Sequence, residues 1–289
     1  MELKKIVVAA KTNKNVQTLE ILRNSYKDNH ILCISEASVS FLDDARKILG
    51  EHFMIPSPAT CDTKRDQNSF ILLRKDYFGN GKYAEPVDIT AQVEKYFATG
   101  GMCPKLWRRL SVTCKPPVEA SCNIYTTHVL CILYYLPHAG NNTKKTALGK
   151  GDLYLVYLQN VEKPSKQSFV IGSFHGDTPG LWTIPMIDAV AALLENEYPH
   201  CQLFIGMDAN CYKENMKGHL FVDDLSECLD RHALKSCFGA PINKDVVTTC
   251  MARTFLQPQM NKANLAATRT MHGDVNPKVS RACCFWACM

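Results

Sequence analysis

Two stretches decide the fold: S-F-V-I-G-S-F-H-G-D-T-P-G at residues 168–180 and L-F-I-G-M-D-A-N-C-Y at residues 203–212. Each is an apolar run that breaks into a loop of small and polar residues, the pattern of a buried strand presenting functional side chains at its carboxyl end. Between them, residues 183 to 197 read as a helix stopped by Pro199, so the segment is strand, loop, helix, strand.

Working outward, the same alternation opens the chain. A β-branched run at residues 5 to 10 precedes a polar stretch and a helix in which Leu19, Ile21 and Leu22 share helical spacing. A second buried strand, residues 31 to 35, ends abruptly in Glu36, and F-L-D-D-A-R-K-I-L-G then reads as a helix stopped by Gly50. The middle is β-rich at residues 69 to 74, 109 to 113, 122 to 136 and 153 to 158, with turn-prone gaps such as F-G-N-G-K and H-A-G-N-N, and reads as successive antiparallel strands. Two α/β flanks around an antiparallel middle favour sheet layers covered by helices. The expected organisation is one domain over residues 1–279, followed by an atypical Cys-rich tail at 280–289. The last eleven residues, V-S-R-A-C-C-F-W-A-C-M, read as a closing strand, a disordered tail or sequence from outside the ancestral reading frame.

Composition narrows the class. Thirty-three Lys plus Arg against 28 Asp plus Glu leave a net charge of +5 on 289 residues, with 46% hydrophobic and 21% charged, which excludes a disordered tail and argues against a nucleic-acid-coating protein. The mild excess suits an anionic substrate. The basic clusters Lys105, Arg108, Arg109 and Lys144, Lys145 read as solvated loop charges, with phosphate steering as the sharper alternative. No apolar run approaches the ~20 residues of a membrane helix, and the apolar start of the chain is too short for a signal peptide. Fourteen cysteines include Cys33, Cys131 and Cys201 in or beside apolar runs, where a reduced thiol behaves as a small buried hydrophobe, and no C-x-x-C occurs. A reduced cytoplasmic or nuclear compartment follows as the expectation, with Asn141-Asn142-Thr143 a chance match to a glycosylation acceptor. Cys283, Cys284 and Cys288 lack a paired ligand nearby, which leaves a zinc or thiol protein as the weakest class.

Three polar islands carry candidate chemistry. Glu36 follows a buried strand, where a carboxylate is costly unless paired, hydrogen-bonded or facing a cation; its plain alternative is a solvated loop acid. His175 ends the strand at 168–174 and can donate to a phosphate oxygen, or can simply end a strand. Asp177 and Thr178 beside it read as turn or cap residues. Asp208 and Asn210 stand two apart on extended backbone, so both can reach one point, as a pair suited to orienting and deprotonating a water; the alternative is a polar turn.

Together, I-S-E at Glu36, F-H-G-D at His175 and G-M-D-A-N at Asp208 and Asn210 resemble, in this order, the endonuclease/exonuclease/phosphatase superfamily of magnesium-dependent phosphohydrolases. The resemblance spans roughly residues 5 to 279 and rests chiefly on the Asp208 and Asn210 segment. It implies a four-layer α/β sandwich: two stacked, mainly antiparallel β-sheets flanked by helices. It also implies that Glu36 is the principal ligand of a magnesium ion, with manganese as a substitute, and that Asn13, or Asn15 in an alternative register, is the asparagine after the first strand. Asp208 would orient or deprotonate the attacking water, Asn210 would hold Asp208 or a phosphate oxygen, and His175 would approach the scissile phosphate. Hard oxygen ligands suit magnesium, which binds through one or two carboxylates plus substrate phosphate. The implied substrate is a phosphate ester: a nucleic acid, a nucleotide, an inositol phosphate or a phospholipid head group. Tyr135 in Y-Y-L-P-H-A-G resembles a tyrosine run of the abasic-site nucleases, but a core or rim tyrosine is the simpler reading.

The end of the chain departs from the pattern. Members close with a strand carrying Ser-Asp-His, yet no Asp-His pair exists after residue 210 here; Asp230, Arg231 and His232 lie in a helix-like stretch, and His272 and Asp274 are in reversed order. Two expectations therefore stand: a magnesium-dependent hydrolase of phosphodiester or phosphomonoester bonds, or a catalytically silent phosphate-binding or interaction module that keeps the fold.

Overall fold

The structure is a computed structural model that describes residues 14–65, 67–97, 148–164, 167–212, 217–244 and 282–287. Helix α1 (Lys14–Ser25), strand β1 (Ile31–Ala37) and helix α2 (Val39–Leu49) open it, followed by β2 (Phe53–Met54), β3 (Asn68–Arg74) and a single helical turn, α3 (Lys75–Phe78). Then come β4 (Val87–Asp88), α4 (Thr90–Phe97), β5 (Leu153–Leu158), β6 (Ser168–His175), α5 (Thr183–Glu197), β7 (Cys201–Asp208), α6 (Val222–Arg231), β8 (Lys235–Ser236) and β9 (Ala282–Ala287).

Among the described residues the strands form two sheets, one ordered β1-β3-β2 and the other β4-β5-β6-β7-β9-β8. Every pairing is antiparallel except β6 with β7, which α5 connects as a parallel crossover. That exception places the carboxyl ends of β6 and β7 side by side.

Alternation along the strands builds three apolar layers. On β3, Phe70 and Leu72 face α1 and α2, where they meet Leu19, Phe41, Ala45 and Leu49. Ile71 and Leu73 face the other way and pack between the sheets with Tyr154, Val156, Phe169 and Ile171. The opposite faces of β5, β6 and β7, carrying Leu155, Val170, Phe174, Leu203, Ile205 and Met207, are covered by α4, α5 and α6. The result is helices, sheet, sheet, helices, as the resemblance implies. Helix α2 shows how sequence sets one of these layers: Ser38 caps it by accepting from the Phe41 N–H at 3.3 Å, and its buried Phe41, Leu42, Ala45 and Leu49 form one stripe.

In the middle of the chain the strands at 69 to 74 and 153 to 158 are antiparallel strands as expected, and they lie in different sheets: β3 pairs with β1 and β2 while β5 pairs with β4 and β6. Both are apolar on both faces, so periodicity fixed that they are strands without fixing their partners. The expected strands at residues 5–10, 109–113 and 122–136 lie outside the described residues, as do Asn13, Tyr135 and the clusters at 105–109 and 144–145. The segment 282–287 of the Cys-rich end is a strand, paired with β7 on one side and β8 on the other.

Candidate active site

The two sheets meet where β1 packs on β6 and β7, and Gly206 makes this approach feasible. A Cβ on Gly206 would run into the side chain of Cys33 on the facing sheet, whereas one on Gly172 would meet Leu155 Cδ2, its own neighbour on β5, at 2.8 Å. Across this contact Cys33 Sγ donates to the Gly172 carbonyl at 3.3 Å, and Ser173 Oγ donates to the Ile34 carbonyl at 3.0 Å. The end of β1 is thereby tied to the end of β6.

Glu36 is presented by an irregularity in β1. Pairing with β3 is regular through Ile34 and Phe70, then shifts before resuming at Ala37 and Asn68. Such a bulge inserts an extra residue and re-aims its neighbours. Glu36 takes a φ of 55°, in the left-handed region that costs a non-glycine residue about 1–2 kcal/mol. The fully buried Asn68 supports it from behind: its side-chain amide donates to the carbonyls of Ala37, Asp62 and Arg65 at 3.2, 3.0 and 3.3 Å, and its oxygen accepts from the Asp62 N–H at 2.6 Å. So oriented, Glu36 Oε1 lies 3.3 Å from His175 Nε2, with the Glu36 side chain 56% exposed and that of His175 13% exposed.

His175 and Asp208 are register partners at the ends of the parallel strands β6 and β7. The His175 N–H donates to the Asp152 carbonyl at 2.9 Å, which also accepts from Ser69 Oγ at 2.9 Å. The Glu36 carboxylate raises the His175 pKa above its ordinary 6.5; burial opposes this, and Glu36, Asp208 and Asp152 all add to the negative field at the ring. Burial raises the Asp208 carboxyl above 3.8 and Glu36 adds to that, while a bond from the Asn210 N–H and the charge of His175 pull it back.

Beyond β7 the chain turns sharply. The Asn210 N–H donates to Asp208 Oδ1 at 3.0 Å, closing a local turn in which Asn210 adopts φ 47°, and Asn210 Nδ2 donates to the Gly176 carbonyl at 2.7 Å. Thr183 Oγ1 donates to the Ala209 carbonyl at 2.9 Å, and Asp177 Oδ1 accepts from the Trp182 N–H at 2.9 Å, which gives Asp177 the turn-shaping part expected of it. The loops after β6 and β7 are thus pinned to each other and to the start of α5.

The structure accordingly brings Glu36, His175, Asp208 and Asn210 to one place. Asn15 lies in the first turn of α1, where its Nδ2 reaches Ser38 Oγ at 3.4 Å and Ser40 Oγ at 3.5 Å. Sequence reading overlooked Arg65, whose Nε donates to Asp62 Oδ2 at 2.6 Å and whose Nη2 lies 3.4 Å from Asp152 Oδ1. The Arg65 hydrogen bond holds the Asp62 carboxyl down at about 2. Sequence reading also overlooked Asn68 and Gly206; a glycine inside an apolar strand is a recognised sign of close approach and was the available signal for Gly206.

The donor set suits a hard divalent cation. Glu36 pairs with the His175 imidazole, and Asp208 and Asp152 add to the negative field there, so the local charge and the oxygen donors favour a cation. Ser35 and Asp208 also border a cavity of about 660 Å³ along β1 and β7, whose lining is mainly apolar.

No family model and no curated relative matches the sequence. Among solved structures, 29 chains match. An endonuclease/exonuclease/phosphatase family protein from Bacteroides thetaiotaomicron has a TM-score of 0.41 at 10% identity, over 80% of this chain and 66% of that one. The endonuclease domain of TRAS1, a telomere-specific non-LTR retrotransposon, has a TM-score of 0.28 at 15% identity, over 47% of this chain and 50% of that one. This chain therefore spans just under two thirds of the first and half of the second. The chemistry of the site rests on this chain's own side chains.

Proposed function

We propose that this chain is a divalent-metal-dependent hydrolase of phosphate esters. The observation that carries the reading is the convergence of Glu36, from one sheet, on His175 and its register partner Asp208, from the other. Glu36 would hold a magnesium ion, with manganese as substitute. The ion, when bound, would neutralise charge developing on the phosphoryl oxygens. Asp208 orients the attacking water and takes its proton, and its burial makes it a stronger base than an exposed carboxylate. The Asn210 N–H fixes one Asp208 oxygen while the Asn210 side chain braces the loop after β6. His175, at the end of β6 beside Glu36, donates to a non-bridging phosphate oxygen. As the bond from water oxygen to phosphorus forms, the bond to the leaving oxygen breaks, and that oxygen takes a proton from solvent. Nucleic acid, nucleotide, inositol phosphate and phospholipid head group all present the required anion.

The test is hydrolysis of bis-(p-nitrophenyl) phosphate by the full chain with and without magnesium. Glu36→Ala and Asp208→Ala should each lower metal-dependent turnover by at least about 100-fold; unchanged turnover in Asp208→Ala would sink the reading.

One observation favours a second reading, that of a silent phosphate-binding module. Ser280-Arg281-Ala282 leads into β9 where the resemblance calls for Ser-Asp-His, and Ala282 is the residue registered opposite Asp208. Phosphate binding without turnover in the unaltered chain, and turnover appearing in the double variant Arg281→Asp, Ala282→His, would identify this state.

A further inference from the structure

We propose that Asp188, Cys228 and His232 form a second metal site, for a borderline-soft divalent cation of the zinc class, that clamps α6 to α5. Among the described residues, this is a group whose ligand atoms all lie within 4.8 Å of one another. Cys228 and His232 stand four apart at the end of α6 and so share one face of it, and Asp188 meets them from α5. Asp188 Oδ1 is 2.6 Å from His232 Nε2 and 3.9 Å from Cys228 Sγ.

Sulfur, imidazole nitrogen and carboxylate oxygen together make a zinc donor set, whereas magnesium takes oxygen ligands. Ligand atoms around a tetrahedral zinc lie roughly 3.3–3.8 Å apart, given bonds of 2.0–2.3 Å, so modest side-chain rotations convert the observed cluster into a coordination shell. Cys228 is 1% exposed, which would place the metal–sulfur bond away from competing water.

Arg231 currently supplies the cation. Its Nη2 lies 3.1 Å from the same Asp188 oxygen, but its side chain is 39% exposed against 18% for both Asp188 and His232, so it can swing into solvent. On loading, the Cys228 thiol would lose its proton to solvent, neutral His232 would bind through Nε2, and a water would fill the remaining position. Held this way, α6 and the start of β8 would be fastened to the helix that connects β6 to β7.

The experiment titrates cobalt(II) into metal-stripped full chain in excess magnesium, reading the near-ultraviolet sulfur-to-cobalt charge-transfer band, and then displaces it with zinc. A stoichiometric band is expected. Cys228→Ser should abolish it with far-ultraviolet circular dichroism unchanged, and His232→Gln should weaken binding at least about tenfold. Arg231→Gln should tighten binding, because a rival cation is gone. No band in the folded unaltered chain, a band that survives in Cys228→Ser and so belongs to other cysteines, or weaker binding in Arg231→Gln would each overturn the proposal. The readout does not depend on phosphate-ester hydrolysis, so this site and the proposed activity stand or fall separately.

Discussion

His175 Nε2 lies 3.3 Å from Glu36 Oε1, and this ion pair joins the ends of two different sheets. Because the pairing raises the His175 pKa above 6.5, folded protein holds this proton more tightly than unfolded chain does. The stabilisation is complete below about pH 6.5 and is lost as pH rises through the raised value. Asp208, also raised, contributes a loss of the same sign from about pH 3.8 upward. Denaturant unfolding of metal-free protein should therefore show the advantage of the unaltered chain over His175→Gln shrinking from pH 6 to pH 9. Parallel profiles would contradict the pairing.

The left-handed backbone of Glu36 separates its chemistry from its strain. Glu36→Gly should be more stable than Glu36→Ala by about 0.5–1 kcal/mol, because glycine adopts positive φ without a Cβ penalty. Both should lose metal-dependent turnover alike. Equal melting of the two variants would mean that the bulge relaxes when the carboxylate is removed.

Gly206 sits against Cys33, so Gly206→Ala forces the sheets apart at the site itself. A cost of about 1–3 kcal/mol is expected. Adding Cys33→Gly should recover part of it by removing both the Cβ and the sulfur that the new methyl meets, and failure to recover any would show that the Cys33 side chain does not set the spacing.

Asn210 has two separable tasks. Asn210→Ala deletes the bond to the Gly176 carbonyl and leaves a non-glycine residue at φ 47°, whereas Asn210→Gly deletes the bond alone. Alanine should cost more stability than glycine, by about 0.5–1 kcal/mol. Turnover should fall in both, because the loop after β6 loses its brace; unaltered turnover would remove Asn210 from the site.

Much of this was legible because an apolar run of strand length that ends in a charged residue marks where a buried strand leaves the core. Residues 168–174, 183–197 and 31–35 are strand, helix and strand as expected, and Glu36, His175 and Asp208 do sit at strand ends. Partner choice was not legible: β3 and β5 are buried on both faces, and nothing in their periodicity tells which sheet each joins. The support residues were also missed, since Asn68 is one polar residue at a strand start and its value lies in four hydrogen bonds that only the fold creates. The Asp188, Cys228 and His232 cluster is divided between two helices, so no spacing rule joins its carboxylate to its thiol.

The close approach of β1 to β6 bears on how the site assembles. His175, Asp208 and Asn210 come from one strand-helix-strand unit, whereas the bond from Ser173 Oγ to the Ile34 carbonyl spans 139 residues. Closing so long a loop is slow compared with forming a local crossover. Amide exchange at the end of β1 should thus reach protection after that of β6 and β7. A half-docked intermediate would hold His175, Asp208 and Asn210 in place without Glu36, the carboxylate proposed to receive the metal, so on that proposal the last folding step would double as the activation step.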